Sequence, residues 1–290
     1  MKIGVIGTHN GWSSELLADS VAQKTGTRLL IDMEDVRLDM DKRNLWYKGQ
    51  NLQELDGLII KKIGTRYAPA LLNRLEMLRF ANQCGLPVFS TPQAIISVLN
   101  KLTCTVTLQL AGIPMPATTI TENIDEAEAA VEEYGTAICK PLYSSKGRGM
   151  IFLSRSDEVR NKLKEYARSF PVIYIQQAIE LKENKDLGVV FLNGEYITTY
   201  ARCKGDSWNT TTAFGGHYEP FDPPQEIIDL AHKAQAAFGL HFTCVDVALT
   251  DDGPKIFEVS AFGGFRGILQ ARGINAADLY TDMVRKELMT

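Results

Sequence analysis

Apolar residues recur along the N-terminal third of the chain with the spacings of alternating strands and helices. The run "KIGVIG" at residues 2–7 predicts a strand, and apolar positions at helical spacing predict a helix over residues 13–24. The runs "TRLLIDM", "LDGLIIKKIG" and "LPVFST" predict further strands, with a second helix before the last of them. This alternation predicts an α/β domain over residues 1–92, with a parallel sheet covered by helices on both faces.

The pattern changes in the rest of the chain and predicts two α+β lobes. The first, over residues 93–175, begins with one helix over roughly residues 93–111 and continues with short strands and two more helices. The second, over residues 176–290, contains longer strands. Within it, "VVFLNGEYITTY" places Asn193 and Gly194 where a tight antiparallel hairpin turn needs them.

Composition and charge narrow the class of protein. The chain has 290 residues, of which 45% are hydrophobic, with a formal net charge of −4 and a pI near 5.7. Proteins that bind nucleic acid usually carry a basic excess, so no nucleic-acid partner is expected. No apolar run approaches the ~20 residues of a membrane span, and the first residues lack the apolar stretch of a signal peptide. We expect a cytoplasmic protein without a membrane partner.

Cysteine and histidine spacing gives no sign of a metal-binding motif. The five cysteines are Cys84, Cys104, Cys139, Cys203 and Cys244. They are widely spaced and form no CxxC pair, and the four histidines show no HxxxH or HExxH spacing. The sequence therefore predicts reduced cysteines in the core, argues against zinc hydrolysis, and leaves any metal to carboxylate ligands.

The segment "AICKPLYSSKGRGMIFL" places a lysine and a polar, glycine-containing loop next to an apolar strand. Lys140 ends that strand, where an ammonium needs an anion to offset its lost hydration. The loop over residues 144–149 combines hydroxyls and glycines with Lys146 and Arg148, a composition that lets backbone amides fold over phosphates. It is not a P-loop, because GxxxxGK[ST] is absent. A polar hairpin tip is the alternative interpretation.

Two carboxylates lie in apolar strand contexts near the end of the chain. Asp246 occurs in "TCVDVAL" and Glu258 in "KIFEVSA". On neighbouring strands they could share a divalent cation held by oxygen ligands, as magnesium prefers. The alternative is a structural pair of carboxylates bonded to Arg202 or Arg266.

The order of six segments resembles the ATP-grasp superfamily and, within it, the RimK-like amino-acid ligases. The segments are "NKLTCTVTLQLAGIPMPAT", "AICKPLYSSKGRGM", "YIQQAIE", "ARCKGDSWNTTTAFGG", "VDVAL" and "FEVSAFGGFRGI". The resemblance implies an ATP-grasp fold with an N-terminal Rossmann-like (pre-ATP-grasp) domain, a small central lobe with a phosphate-covering loop, and a C-terminal antiparallel-sheet lobe with a metal site. It implies an ATP-dependent ligase that joins an amine, such as glutamate or another amino acid, to a carboxylate acceptor through an acylphosphate. The implied cofactors are ATP and Mg²⁺ or Mn²⁺, and the implied assembly is a homodimer or homotetramer.

The resemblance also implies roles for individual residues. The implied nucleotide-binding residues are Lys101, Lys140, Ser144, Ser145, Gly147, Gly149, Gln176, Gln177, Ala178, Ile179, Asp186, Asn209, Thr210 and Thr211. The implied catalytic residues are Arg202 and Lys140, and the implied metal ligands are Asp246, Glu258 and Ser260. Among these, Lys101 and Lys140 would contact phosphates, residues 177–179 would read adenine through the backbone, and Asp186 would bind ribose.

Three positions depart from the family pattern. Ser260 stands where the family usually has a metal-binding asparagine, Gln177 where it has a glutamate, and Asn209 where it has an arginine. These neutral residues leave open a nucleotide-binding ATP-grasp protein without ligase activity, and the fold itself leaves open a small-molecule kinase. They also resemble a divergent subgroup, such as the ATP-grasp member of the bacterial GAK system.

The acceptor end of the site is expected to include the first strand-to-helix turn. "GTHNGWSS" at residues 7–14 is either a plain turn in which Ser13 caps the helix, or a contact for an acidic substrate through residues 8–10. With the resemblance in place, "THNGW" and "FGGFRGILQARGIN" are expected to line the acceptor pocket. Arg266 or Arg272 would there pair with a carboxylate.

Overall fold

The computed structural model of the protein describes residues 1–66, 68–156, 158–206, 209–210 and 215–290. The strands are β1 Ile3–Ile6, β2 Leu30–Ile31, β3 Val36–Asp39, β4 Asn44–Tyr47, β5 Gln50–Asn51, β6 Gly57–Ile60, β7 Val88–Phe89, β8 Thr118–Thr121, β9 Thr136–Lys140, β10 Ile151–Ser154, β11 Ile173–Gln177, β12 Lys185–Leu192, β13 Glu195–Cys203, β14 His217–Pro220, β15 Phe242–Thr250 and β16 Gly253–Ser260. The α-helices are α1 Trp12–Thr25, α2 Leu71–Gln83, α3 Pro92–Leu99, α4 Lys101–Leu110, α5 Ile124–Tyr134, α6 Val159–Ser169, α7 Gln225–Ala236, α8 Phe265–Arg272 and α9 Ala276–Glu287.

The N-terminal sheet is parallel, as the sequence predicts, with strand order β2-β1-β6-β7. Successive side chains of a strand point to opposite faces, and β6 shows why both faces are covered. Ile59 packs in one core cluster with Leu17 of α1, whereas Leu58 and Ile60 pack in another with Leu75 of α2. The sheet is therefore a buried layer between helices.

A small antiparallel sheet of order β3-β4-β5 was not anticipated from the sequence. Its strands have two to four residues, too short for the apolar pattern to stand out. Tight turns join them, with Arg43 and Lys48 at positive φ.

The single helix predicted over residues 93–111 is wrong, because the chain forms two helices there. Asn100 has extended backbone angles of φ −96° and ψ 125°, and its side-chain oxygen accepts a hydrogen bond from the Leu102 amide at 2.8 Å. An asparagine that caps the following helix in this way ends the preceding one. The break places Lys101 at the start of α4, where its own amide donates to the Leu142 carbonyl at 3.1 Å.

The central sheet is antiparallel, with order β10-β9-β11-β8. Helices α5 and α6 cover one face, where Val131 and Leu163 pack with Cys139 and Ile175. Lys140 is the last residue of β9, so this lysine stands at the end of an apolar strand.

The C-terminal sheet is antiparallel, with order β14-β13-β12-β15-β16. The predicted hairpin is confirmed: β12 and β13 pair antiparallel, and the turn places Asn193 at φ 50° and Gly194 at φ 82°. Further along, β15 pairs with β16 so that Asp246 lies directly opposite Glu258. The fold therefore brings the two predicted metal ligands together.

The last helix, α9, returns to the beginning of the chain and packs against α1. Ser20 donates a 2.6 Å hydrogen bond to Asp278, and Lys24 forms an ion pair with Asp282. Val5 of β1 and Val284 of α9 belong to one core cluster. In the described part of the chain, no helix has the length and apolar character needed to cross a membrane.

Candidate active site

A cleft of about 480 Å³ is lined by residues of the N-terminal domain, the central sheet and the C-terminal sheet. Its cationic side chains belong to Lys61, Lys62, Lys101, Lys140, Lys146, Arg148 and Arg202, and its carboxylates to Asp186, Asp246 and Glu258. Cations outnumber carboxylates here, although the whole chain has a net charge of −4. A local positive excess in an acidic protein is typical of a site for a polyanion.

The acidic pair sits at the base of this cleft, and each member is held by a cation. Asp246 lies 3.0 Å from the guanidinium of Arg202, and Glu258 lies 3.1 Å from the ammonium of Lys101. Burial, reinforced by the negative charges of Glu258 and Asp186, raises the pKa of Asp246 to about 7 in spite of Arg202. Burial also acts on Glu258, but Lys101 and Lys140 outweigh it and lower its pKa.

This donor set fits a hard divalent cation. The two carboxylates face each other from adjacent strands, and oxygen donors of this kind are those that Mg²⁺ prefers. Glu258 keeps 39% of its side chain exposed, so an ion can reach it from the cleft. The alternative of carboxylates bonded to arginine is also present in part, because Arg202 pairs with Asp246.

The guanidinium of Arg202 is held by Asp186 as well as by Asp246. Its Nε and Nη2 atoms donate to the two oxygens of Asp186 at 3.0 and 2.6 Å. Both residues lie at paired positions on β12 and β13, and the Asp186 side chain is only 4% exposed. The ribose contact stays a prediction for Asp186, whose two oxygens here orient the catalytic arginine candidate.

Lys140 faces the same cleft as Lys101. Its ammonium donates to the Gln176 side-chain oxygen and lies 5.1 Å from the centre of the Phe257 ring. Burial, with the nearby charge of Lys101, lowers the pKa of Lys140 to about 8. Gln176 is 1% exposed and is itself fixed by a 3.2 Å hydrogen bond to Tyr174, so the lysine is held in place.

The segment predicted to read adenine follows β11. The amide of Gln177 donates to the Ala117 carbonyl at 2.8 Å, and the amide of Ala178 donates to the Thr136 carbonyl at 3.0 Å. These donors are therefore engaged inside the protein. Gln177 and Ile179 line the cleft, and the backbone contact of residues 177–179 with adenine stays a prediction.

The glycine-containing loop over residues 144–149 lies beside Lys101, whose ammonium donates to the Ser144 carbonyl at 3.1 Å. Ser145 accepts a 3.1 Å hydrogen bond from the Arg148 guanidinium. Three of the six loop residues have positive φ, namely Lys146 at 58°, Gly147 at 70° and Gly149 at 72°. These angles explain the two glycines, since most other residues avoid this region.

Ser260 follows the acidic pair at the end of β16. The Ser260 hydroxyl oxygen accepts from the backbone amides of Phe262 and Gly263 at 3.3 and 3.0 Å, so it shapes the turn after β16. Its role as a metal ligand stays a prediction. Asn209 and Thr210 line the cleft, whereas Thr211 lies outside the described residues.

Sequence reasoning missed Lys61, which follows β6 and is 2% exposed. Its ammonium donates to the Phe262 carbonyl at 2.8 Å and lies 3.9 Å from the centre of the Phe265 ring. Burial, followed by repulsion from Lys62, lowers its pKa to about 7. The signal was a lysine directly after the buried run "GLII", the same context that singled out Lys140.

The acceptor end differs from the expectation in two details. Ser13 does not cap the first helix, because Gly11 is the capping residue and makes no side-chain bond there. Arg272 is already paired with Asp222, whereas the Arg266 guanidinium stacks 4.9 Å from the centre of the Trp12 ring. Arg266 is thus the better candidate of the two for a substrate carboxylate.

The fold and the cleft together define an ATP-grasp protein. Residues 98–284 match the RimK-like ATP-grasp domain, and the chain belongs to this family. The prediction of the family from six short segments is therefore confirmed.

Relatives agree with this assignment. The tetrahydromethanopterin:alpha-L-glutamate ligase of Methanocaldococcus jannaschii is 29% identical over 245 residues, which cover 83% of this chain and 82% of the relative. The ATP-grasp ligase PsnB, solved with a phosphomimetic minimal precursor, Mg and ADP, superposes with a TM-score of 0.77 at 16% identity, covering 99% of this chain and 98% of PsnB. The D-cycloserine synthetase DcsG superposes with a TM-score of 0.75 at 14% identity and covers 99% of each chain. These names agree with the predicted ligase chemistry, and the superpositions confirm the predicted fold.

Proposed function

We propose that this protein is an ATP-dependent carboxylate–amine ligase that forms an amide bond. The observation that carries the proposal is the Asp246–Glu258 pair, opposed on adjacent strands at the base of a cleft rich in cations. Family membership supports the same reaction class. The amine is proposed to be glutamate, since relatives spanning most of the chain are named as alpha-L-glutamate ligases.

Asp246 and Glu258 would hold Mg²⁺, or Mn²⁺ in its place. The bound ion supplies charge neutralisation to the phosphates, which is the main requirement of phosphoryl transfer. Arg202 and Lys101 are then free to turn from the carboxylates towards the nucleotide. The same two cations keep the acidic pair compatible with a buried site before the nucleotide binds.

The side chains of the cleft position the reactants and need no covalent nucleophile. An acceptor carboxylate attacks the γ-phosphorus of ATP and ADP departs, which leaves an acylphosphate. The amine then attacks the acyl carbon, phosphate leaves, and the amine loses a proton. Lys140 and Arg202 stabilise the charge that builds on the transferring oxygens, and the loop over residues 144–149 excludes water from the hydrolysable intermediate.

The proposal is tested by ADP release with glutamate and a panel of carboxylate acceptors, with products identified by mass spectrometry. Lys140→Ala is expected to lower the rate on the order of 10²-fold, because one charge contact to the transferring group is lost. Lys164→Ala, at an exposed position of α6, is the matched control and should retain the parental rate.

Two outcomes would contradict the proposal. Tight ATP binding without amide formation across the panel would indicate a nucleotide-binding protein without ligase activity. A product that gains a phosphoryl group and forms no amide would indicate a small-molecule kinase. Sedimentation of the purified protein separately tests the homodimer or homotetramer that the family resemblance implies.

A further inference from the structure

A cluster of metal-binding side chains lies outside the catalytic cleft, on the edge of the C-terminal sheet. Cys203 ends β13 and lies opposite His217, the first residue of β14, while Glu219 lies two residues further along β14 on the same face. One ligand atom of each residue lies within 4.8 Å of those of the other two. His217 Nε2 and Glu219 Oε1 lie 3.0 Å apart.

These three ligand types select a particular class of cation. A thiolate, an imidazole and a carboxylate together suit borderline-soft Zn²⁺ and are poor ligands for Mg²⁺ or Ca²⁺. Ligand atoms around tetrahedral zinc lie roughly 3.5 Å apart, given bond lengths of about 2.0–2.3 Å. The His217 and Glu219 atoms lie slightly closer than this, and all three ligand atoms lie within 4.8 Å of one another, so small side-chain adjustments reach the spacing.

The surroundings allow these side-chain adjustments. The side chains of His217 and Glu219 are 59% and 52% exposed, so both can be reached by an ion and can adjust their rotamers. Lys185 lies next to Cys203 on β12, but its ammonium is engaged by Glu183. The place between the three ligands is therefore not filled by that cation.

The position of the cluster in the chain gives it a consequence. Cys203 and His217 are the two ends of the connection over residues 204–216, which carries the residues expected near the γ-phosphate. An ion bound by both ends would tie together the base of that connection. We propose that Cys203, His217 and Glu219 form a zinc site that fixes the base of the 204–216 connection.

Cobalt is the probe for the site, because Co²⁺ adopts the geometry of zinc and absorbs light through its bond to a thiolate. The full chain, in excess Mg²⁺ to occupy oxygen-only sites, should bind one equivalent of Co²⁺ with a thiolate-to-metal absorption band that Zn²⁺ removes. Cys203→Ser should abolish the band, and His217→Gln should weaken the affinity at least about tenfold. Cys84→Ser, at the exposed cysteine outside the cluster, should leave the band unchanged.

Absence of the band in the parent protein, or its persistence in Cys203→Ser, would overturn the site. Neither readout uses turnover, so the result is independent of the proposed ligase activity. All variants are compared by thermal unfolding, so that loss of the fold is recognised as such.

Trypsin cleavage after Lys204, the residue next to the cluster, tests whether the ion fixes the base of the 204–216 connection. Zn²⁺ should slow this cleavage several-fold in the parent protein and leave it unchanged in Cys203→Ser. Cleavage after Lys42 or Arg43, in an exposed turn of the N-terminal domain, reports any effect of Zn²⁺ on trypsin itself. If Zn²⁺ binds but cleavage of the parent after Lys204 is equally fast with and without it, the ion does not fix the base of the connection.

Discussion

The Arg202 guanidinium bonds to two carboxylates and also lines the cleft in which a phosphate would bind. Its Nε and Nη2 atoms donate to the two oxygens of Asp186, which orients the side chain, while Nη2 also lies 3.0 Å from Asp246. Coulombic attraction to both carboxylates offsets the burial of the guanidinium and raises its pKa well above the usual value. The residue therefore stays charged at any pH at which the protein is folded.

Arg202→Lys is expected to lower kcat on the order of 10²-fold, because a lysine keeps the charge but cannot use both oxygens of Asp186 while facing the phosphates. Steady-state ADP release measures the effect. Arg168→Lys, at an exposed position near the end of α6, is the matched control. An Arg202→Lys protein with the parental kcat would show that the paired bonds of the guanidinium to Asp186 are not needed for catalysis.

Lys61 predicts a dependence of stability on pH. Its folded-state pKa of about 7 is below the ordinary value of 10.5, so between these values the unfolded chain binds a proton that the folded chain does not. The free energy of unfolding of the parent should therefore rise with pH relative to Lys61→Met, by up to about 1.4 kcal/mol per pH unit from pH 7 towards pH 10.

Denaturant titrations of both proteins at pH 7, 8 and 9 measure this difference. Lys164→Met, an exposed lysine, should show a constant difference from the parent over the same range. A constant difference for Lys61→Met as well would mean that Lys61 is not buried as described.

At the scale of elements, the C-terminal sheet depends on a close contact around Tyr200. Its ring occupies the space where Gly188 of β12 and Gly267 of α8 lack side chains: a Cβ atom at either glycine would lie 2.3 Å from the ring. The ring is 3% exposed, and its hydroxyl lies 3.4 Å from Cys244 Sγ. Two glycines thus let a strand and a helix close over one aromatic ring beside the carboxylates proposed to bind the metal.

Gly188→Ala should lower the free energy of unfolding by about 1–3 kcal/mol, the usual cost of overpacking. The same substitution in a Tyr200→Leu background should cost less, because the smaller side chain removes most of the clash. Thermal and urea unfolding of the four proteins gives the coupling energy. Equal costs in the two backgrounds would show that the contact is not the cause.

Elements with a clear local pattern could be predicted, whereas a break without one and contacts between distant residues could not. The parallel N-terminal sheet follows from alternation, and the β12–β13 hairpin from Asn-Gly chemistry. The break at Asn100 was missed because apolar spacing continues across it, and only the capping bond reveals it. Pairing of Lys101 with Glu258, 157 residues apart, is set by how two lobes meet, which spacing along the chain does not encode.

At the scale of the whole molecule, residues from the N-terminal, central and C-terminal sheet regions line one cleft, and the loop over residues 144–149 contributes to its wall with Lys146 and Arg148 exposed. The loop is held by the Lys101–Ser144 contact and by bonds within the loop itself. Positive charge on Lys146 and Arg148 gives a polyphosphate new partners there. We therefore expect the loop to order when the nucleotide binds.

ATP with Mg²⁺ should slow tryptic cleavage after Lys146 and Arg148 at least several-fold, because the loop would close over the phosphates. Peptide mapping of timed digests measures the rate at each bond. Cleavage after Lys42 or Arg43 should not change with nucleotide, since that turn lies away from the cleft. Equal rates in the loop with and without ATP would contradict its closure.

The packing of α9 on α1 bears on how the protein is made. During synthesis the first helix leaves the ribosome more than 250 residues before its partner, since the elements concerned are Trp12–Thr25 and Ala276–Glu287. The apolar surface that Leu17 and Val21 share with Ala277 and Val284 stays open until α9 has been made. Completion of the first domain is thereby linked to synthesis of α9, and a product that lacks α9 is left with an exposed hydrophobic face for quality control to recognise.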